Sequence, residues 1–210
     1  MRDRPHPFYV AMGLVLWPLV RWPLRVKIYG REHLPKEGGF ILVSNHLSYF
    51  DSYALAFPFF PHRQLRYMAK VELFKRPFKR ILAAAGAFPV QRGGRDTETY
   101  RTAVRLAQSG KIVVIYPTGT REKIARRRNE VATANPGAAR IALTAKVPLV
   151  PAALEGTERL PRPAKLTVAF GPPIPTDDLN GLPPKEAAKA ATERMVAAMA
   201  ELRELVRRRR

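Results

Sequence analysis

The chain has four histidines, His6, His33, His46 and His62, and His46 alone has an acid at a spacing that invites chemistry, in Asn45-His46-Leu47-Ser48-Tyr49-Phe50-Asp51. An imidazole with one nitrogen held by a carboxylate keeps a single tautomer and leaves the other nitrogen free as a general base near neutral pH. On one regular helix, residues five apart point about 140° away from each other. The pair can therefore meet only if His46 lies in a loop and Asp51 near the start of a helix. Taken alone the spacing carries little information, because a loop histidine is equally often a structural hydrogen-bonding residue.

Three further segments hold groups that could assist such a base. Tyr116-Pro117-Thr118-Gly119-Thr120-Arg121 combines a glycine that permits close backbone approach, a hydroxyl and a guanidinium able to fork onto a phosphate. It is not a P-loop, which would end in Gly-Lys-Ser/Thr. Gly86-Ala87-Phe88-Pro89-Val90-Gln91-Arg92 puts a second guanidinium at the end of an apolar run, and Val147-Pro148-Leu149-Val150-Pro151 is apolar and bracketed by prolines. Read singly, each also has a structural reading as a turn, a surface arginine or a core strand. Cysteine is absent, which excludes a thiolate nucleophile, thiolate metal sites and disulfides.

These segments need a frame. Short apolar runs at Val26–Tyr29, Phe40–Ser44, Leu65–Ala69, Phe88–Gln91, Ile112–Tyr116, Leu149–Leu154 and Lys165–Phe170 read as strands. Between them Ser52–Phe60, Phe78–Ala85, Arg95–Gln108 and Ala138–Ala145 read as helices, with Gly110 placed to end the third. Pro183-Pro184 opens a last helix, on which Met195, Val196, Met199, Leu202 and Val206 recur at helical spacing before the basic end Arg207–Arg210. The alternation predicts one α/β domain with a mixed, mainly parallel sheet flanked by helices. His46 then follows the buried strand Phe40–Ser44, where α/β sheets place their sites.

Charge points to an anionic partner: 37 Lys+Arg stand against 17 Asp+Glu, a formal +20 in 210 residues. The uncharged run Phe8–Val20, flanked by Arg2, Arg4, Arg21 and Arg25, is about 13 residues long and too short to span a bilayer as a helix. Its end, Trp17, Pro18, Arg21, Trp22 and Pro23, is a poor cleavage context for a signal peptide. Aromatic and arginine side chains together suit a headgroup layer, so residues 1–24 read as an amphipathic, monotopic membrane-interface helix. Phe8, Leu14, Trp17, Arg21 and Trp22 are its expected membrane contacts, and residues 25–210 form the remaining domain. An ordinary helix docked on the core is the other reading of the same run.

In order and spacing, the four segments resemble the glycerolipid acyltransferase family, whose type activity is that of a 1-acylglycerol-3-phosphate acyltransferase. The family's blocks run Asn-His-x4-Asp, Gly-x-(apolar)3-x-Arg, Phe-Pro-Glu-Gly-Thr-Arg and Val-Pro-x-x-Pro. Here they fall at Asn45–Asp51, Gly86–Arg92, Tyr116–Arg121 and Val147–Pro151, with Lys70-Val71-Glu72-Leu73-Phe74 similar to a further family segment. The resemblance implies that His46, oriented by Asp51, deprotonates the hydroxyl of a lysophospholipid acceptor for attack on acyl-CoA or an acyl-carrier protein. It implies that Arg121, with Thr118, Gly119 and Thr120, grips the acceptor phosphate, supported by Arg92 and Lys70. No cofactor and no metal are implied, nucleic acid is not an expected partner, and the place of action is the cytoplasmic face of the cell membrane.

Thr118 departs from the family's glutamate. The acceptor then differs (another lysolipid or a glycolipid), activity is reduced, or a nearby acid such as Glu122 or Glu130 compensates. A degenerate member acting as a basic module that binds anionic lipid is the competing reading.

Overall fold

The computed structural model describes residues 5–21, 25–90, 97–119, 134–160 and 165–209, and in the first helix leaves the side chains of residues 16, 17 and 19–21 undescribed. Seven strands form one sheet: β1 (Lys27–Tyr29), β2 (Phe40–Ser44), β3 (Leu65–Lys70), β4 (Ala87–Val90), β5 (Ile112–Ile115), β6 (Leu149–Glu155) and β7 (Thr167–Phe170). Their order is β1-β7-β6-β2-β5-β3-β4. The block β6-β2-β5-β3-β4 is parallel throughout, β7 runs antiparallel to β6, and β1 is parallel to β7. The sheet is thus mixed and mainly parallel, as the alternation of elements predicts.

Six helices accompany it among the described residues: α1 (Pro7–Arg21), α2 (Asp51–Ala56), α3 (Phe78–Ala84), α4 (Thr97–Gln108), α5 (Gly137–Ala145) and α6 (Pro184–Arg208). The central strands β2 and β5 are apolar throughout except for Ser44 at the end of β2, because both faces are covered. Ile41, Val43, Val113 and Leu149 pack with α4, α5 and α6 through Ala103, Ala107, Ile141 and Met195. Phe40, Leu42, Ile112, Val114 and Leu154 pack on the other face with Leu55, Phe59 and Phe170.

Two expectations change. The helix expected over Ser52–Phe60 is α2, ending at Ala56, and turns continue to His62. Pro58 cannot donate the next backbone hydrogen bond, so the helical ladder stops there. On α6, Met195 and Val206 are buried, whereas Val196 is exposed, since adjacent residues on a helix point about 100° apart and Val196 falls off the face that Met195 buries. At the basic end of the chain the Arg209 guanidinium lies over the Tyr29 ring, 4.6 Å from its centroid.

Parallel pairing has a direct consequence for function. The carboxyl ends of β6, β2, β5, β3 and β4 share one edge, so the described residues that follow β6, β2, β5 and β3 emerge at that edge although they are far apart in sequence. Val147-Pro148 precedes β6 and lies at the opposite edge, where the Pro148 carbonyl accepts from Ile41 N–H at 2.9 Å. That block is a strand entry.

Candidate active site

The site begins with a loop of six residues between β2 and α2. Asn45, buried at the end of β2, fastens the loop to the neighbouring strand: its side chain donates to the Leu154 carbonyl at 3.0 Å and accepts from Leu154 N–H at 2.8 Å. An amide side chain satisfies both backbone groups of one residue, which neither an acid nor an apolar residue could do.

Asp51 opens α2 and its side chain is fully buried. Four donors compensate that burial. Oδ2 accepts from His46 Nδ1 at 2.6 Å, Leu47 N–H at 2.6 Å and Ser48 N–H at 2.9 Å, and Oδ1 accepts from Thr157 Oγ1 at 2.5 Å. With both carboxylate oxygens acting as acceptors, the hydrogen shared with His46 resides on Nδ1, and Nε2 keeps its lone pair. No described residue hydrogen-bonds to Nε2. His46 in a loop and Asp51 at a helix start is the only local arrangement in which the two could meet, and it is the one observed.

Two groups bear on the histidine that the spacing of Asn45–Asp51 did not reveal. Tyr116, directly after β5, stacks on the imidazole, and its hydroxyl is 2.8 Å from Ser52 Oγ. Burial pushes the Tyr116 phenol far above its ordinary range, so it stays neutral. Thr157 reaches Asp51 from the turn after β6. Tyr116 was visible as the first residue of a motif, and Thr157 follows Gly156 at a strand end, but only the strand order β6-β2-β5 puts both beside β2.

The remaining site candidates divide. Thr118 and Gly119 lie in the turn after β5, closed by Gly119 N–H donating to the Tyr116 carbonyl at 2.9 Å. Gly119 has φ +65°, a left-handed conformation that favours glycine, and a Cβ there would meet nothing within 4 Å among the described residues. Lys70 ends β3 and is exposed; register places it level with the end of β2, about two strand spacings or roughly 10 Å from the His46 loop. Arg92, Thr120, Arg121, Glu122, Glu130 and Trp22 lie outside the described residues. Phe8 and Leu14 are exposed on α1, while Trp17 and Arg21 are on that helix with side chains outside the description. Gly86 has a structural function, since a Cβ would come within 2.2 Å of the Leu65 carbonyl oxygen. Among the described residues no cluster of His, Asp or Glu could hold a metal.

Comparison with known proteins bears on the family and the fold. An acyltransferase family model matches residues 25–155. The chain is 35% identical over 181 residues to the 1-acyl-sn-glycerol-3-phosphate acyltransferase of Bacillus subtilis, covering 84% of this chain and 87% of that one. It is 29% identical over 182 residues to the protein of the same name from Streptococcus pneumoniae, of which it covers 65%. The crystal structure of the 1-acyl-sn-glycerophosphate (LPA) acyltransferase PlsC from Thermotoga maritima superposes with a TM-score of 0.61 at 24% identity, covering 96% of this chain and 84% of that chain, a likeness of fold.

Proposed function

Given that the chain belongs to the acyltransferase family, we propose that it transfers a fatty acyl group to the free hydroxyl of 1-acylglycerol-3-phosphate (lysophosphatidic acid), giving phosphatidic acid for phospholipid synthesis at a membrane surface. The observation that carries the proposal is the His46–Asp51 pair, with Nε2 unpartnered among the described residues, at the sheet edge where the turn after β5 with Tyr116, Thr118 and Gly119 also emerges. The curated relatives' names supply the acceptor.

In this reading His46 Nε2 takes the proton of the acceptor hydroxyl as its oxygen attacks the thioester carbonyl of acyl-CoA or an acyl-carrier protein. The C–S bond breaks as the tetrahedral intermediate collapses, and the imidazolium returns its proton to the departing thiolate. Asp51 holds the ring and offsets its transient positive charge. No cysteine is present and no Gly-x-Ser-x-Gly elbow occurs, so a direct transfer is preferred to an acyl-enzyme. Lys70, Arg92 and Arg121, with Thr118, Gly119 and Thr120, anchor the phosphate, which orients a hydroxyl remote from it. No cofactor enters the scheme.

The same proposal makes residues 1–24 an interfacial segment and 25–210 the transferase domain, peripheral or monotopic on the cytoplasmic face. Phe8, Leu14 and Val15 are exposed on α1, and among the described residues no helix is long and apolar enough to cross a membrane. Tyr9 and Gly13 meanwhile pack α1 on Phe60, so the helix is both docked and apolar outside.

Transfer from acyl-CoA and acyl-carrier protein to a panel of lysolipids, with His46→Ala as control, tests the reading. Acylation of lysophosphatidic acid that disappears in His46→Ala is expected. A wild type that acylates no lysolipid, or a fully active His46→Ala protein, overturns it. Thr118 supports a second reading, a different lysolipid or glycolipid acceptor, which preference within the same panel would reveal.

A further inference from the structure

From Lys70 to Ile81 every residue except Phe74 is exposed, and α3 contains no buried residue. The stretch nevertheless carries Val71, Leu73, Phe78 and Ile81, which are 44–61% exposed. Between them stand Lys70, Lys75, Arg76, Lys79 and Arg80, against the single acid Glu72. A seven-residue helix gains too little from its own hydrogen bonds to persist in water, and clustered large apolar side chains on a surface mark an interaction site. Apolar groups interleaved with long cations match one environment well. The apolar side chains enter the acyl boundary of a bilayer while lysine and arginine reach anionic headgroups.

A buried glutamine joins this stretch to α1. Gln64 is fully buried; its Oε1 accepts from His6 N–H at 3.0 Å and its Nε2 donates to the Ala84 carbonyl at 2.7 Å. One amide thus holds the entry to α1 and the last turn of α3 together. The turn Val71–Leu73 directly follows β3, on the same sheet edge as His46. Tyr49 and Phe50, in the loop between His46 and Asp51, are 77% and 47% exposed on that edge.

We infer that Val71–Leu73 and α3 form a second lipid-facing element that seats the protein on an anionic bilayer, its Val71–Leu73 end on the active-site edge and its far end tied to the start of α1 through Gln64. The inference rests on the proposed function for its meaning: a lipid acceptor would reach His46 along this rim without leaving the interface. An acidic protein would match the cations but not the exposed apolar side chains interleaved with them, which recur at Phe8, Leu14 and Val15 of α1 and which an anionic bilayer takes up together with the cations.

The test uses the full chain and two double variants at exposed positions outside the site, Phe78→Ser/Ile81→Ser and Lys79→Gln/Arg80→Gln. Flotation with vesicles of phosphatidylcholine alone, or mixed with phosphatidylglycerol, reads binding. Acyl transfer to detergent-dispersed lysophosphatidic acid reads the site. The wild type is expected to float preferentially with phosphatidylglycerol vesicles, and each variant to bind them about tenfold more weakly. Melting temperatures should move by less than about 2 °C, because no core contact is touched. Binding unchanged in both variants overturns the inference. So does intact vesicle binding with selective loss of transfer from acyl-carrier protein, which would make the patch a protein dock. A wild type that floats but transfers nothing refutes the proposed function and leaves the lipid surface standing.

Discussion

Tyr116 lies flat against His46, with ring centroids 4.1 Å apart and planes inclined by 14°. Asp51 fixes the imidazole through Nδ1 and Tyr116 fixes it through its face, so the direction of Nε2 is set by two contacts from different strands' ends. Tyr116→Phe keeps the stack and gives up only the bond to Ser52, so kcat should fall by less than about threefold. Tyr116→Ala releases the ring, and kcat should fall about tenfold to a hundredfold with little change in KM. Steady-state kinetics separate the two, and an unchanged kcat in Tyr116→Ala would remove the stack from the mechanism.

Thr157 supplies the described donor to Asp51 Oδ1. Thr157→Val leaves that buried oxygen without it, at a cost of about 1–3 kcal/mol in stability, and loosens the carboxylate that holds His46. Thr157→Ser should restore both stability and kcat. Failure of serine to rescue would mean that the methyl group, and not the hydroxyl, is what matters.

Asn45 is expected to be a structural residue of the site. Asn45→Ala strands two buried backbone groups of Leu154 and should destabilise the fold by about 2–4 kcal/mol. Asn45→Asp retains the acceptor for Leu154 N–H but turns an oxygen toward the Leu154 carbonyl, so it should be comparably harmful. Urea unfolding of both variants checks this.

Arg63 closes the edge opposite the site. It donates to the carbonyls of Pro35 at 3.0 Å, Gly110 at 3.1 Å and Gly38, and its guanidinium lies 5.4 Å from the Phe40 ring centroid. Arg63→Met keeps the stem and removes the donors; a loss of about 2–3 kcal/mol is expected. Transfer rate per folded molecule should not change, since no group at the active-site edge is touched. A reduced kcat at full folding would contradict that separation.

Tyr9 gives a dependence on alkaline pH. Its hydroxyl is buried without a hydrogen-bond partner among the described residues, and burial raises its pKa from the ordinary 10.0 to about 12. The unfolded chain releases this proton first, so the stability tied to neutral Tyr9 is complete below about pH 10 and drains away as pH rises toward about 12. Tyr9→Phe cannot ionise and carries no orphaned hydroxyl. It should be as stable as the wild type or up to ~1 kcal/mol more so at neutral pH, with a shallower loss across that window. Urea midpoints that fall equally steeply in both proteins would exclude Tyr9 as a source.

The parts legible from the sequence are those fixed within a few residues. Phe40–Ser44 and Ile112–Ile115 announce buried strands because every position except Ser44 is apolar, and both faces are indeed covered. His46 and Asp51 can be paired on paper because a five-residue spacing leaves only one way to join them. The end of α2 was less legible: apolar residues continue to Phe60, and the break at Pro58 competes with that pattern. Val196 belongs to the apolar pattern of the last helix and is nevertheless exposed, since neighbours on a helix share hydrophobicity without sharing a face.

The sequence by itself determined the chemistry available: a histidine with a nearby acid, no cysteine, arginines beside strand ends and a charge of +20. Tertiary structure alone decided which groups surround that histidine. Thr157 lies 106 residues from Asp51 and the Tyr116 hydroxyl is bonded to Ser52 across 64, distances that no local periodicity can bridge. Parallel pairing of β6, β2 and β5 brings their carboxyl ends to one edge and their following turns into contact. The same pairing sends the proline-bracketed start of β6 to the far edge, so order along the chain could not say which motif belongs to the site.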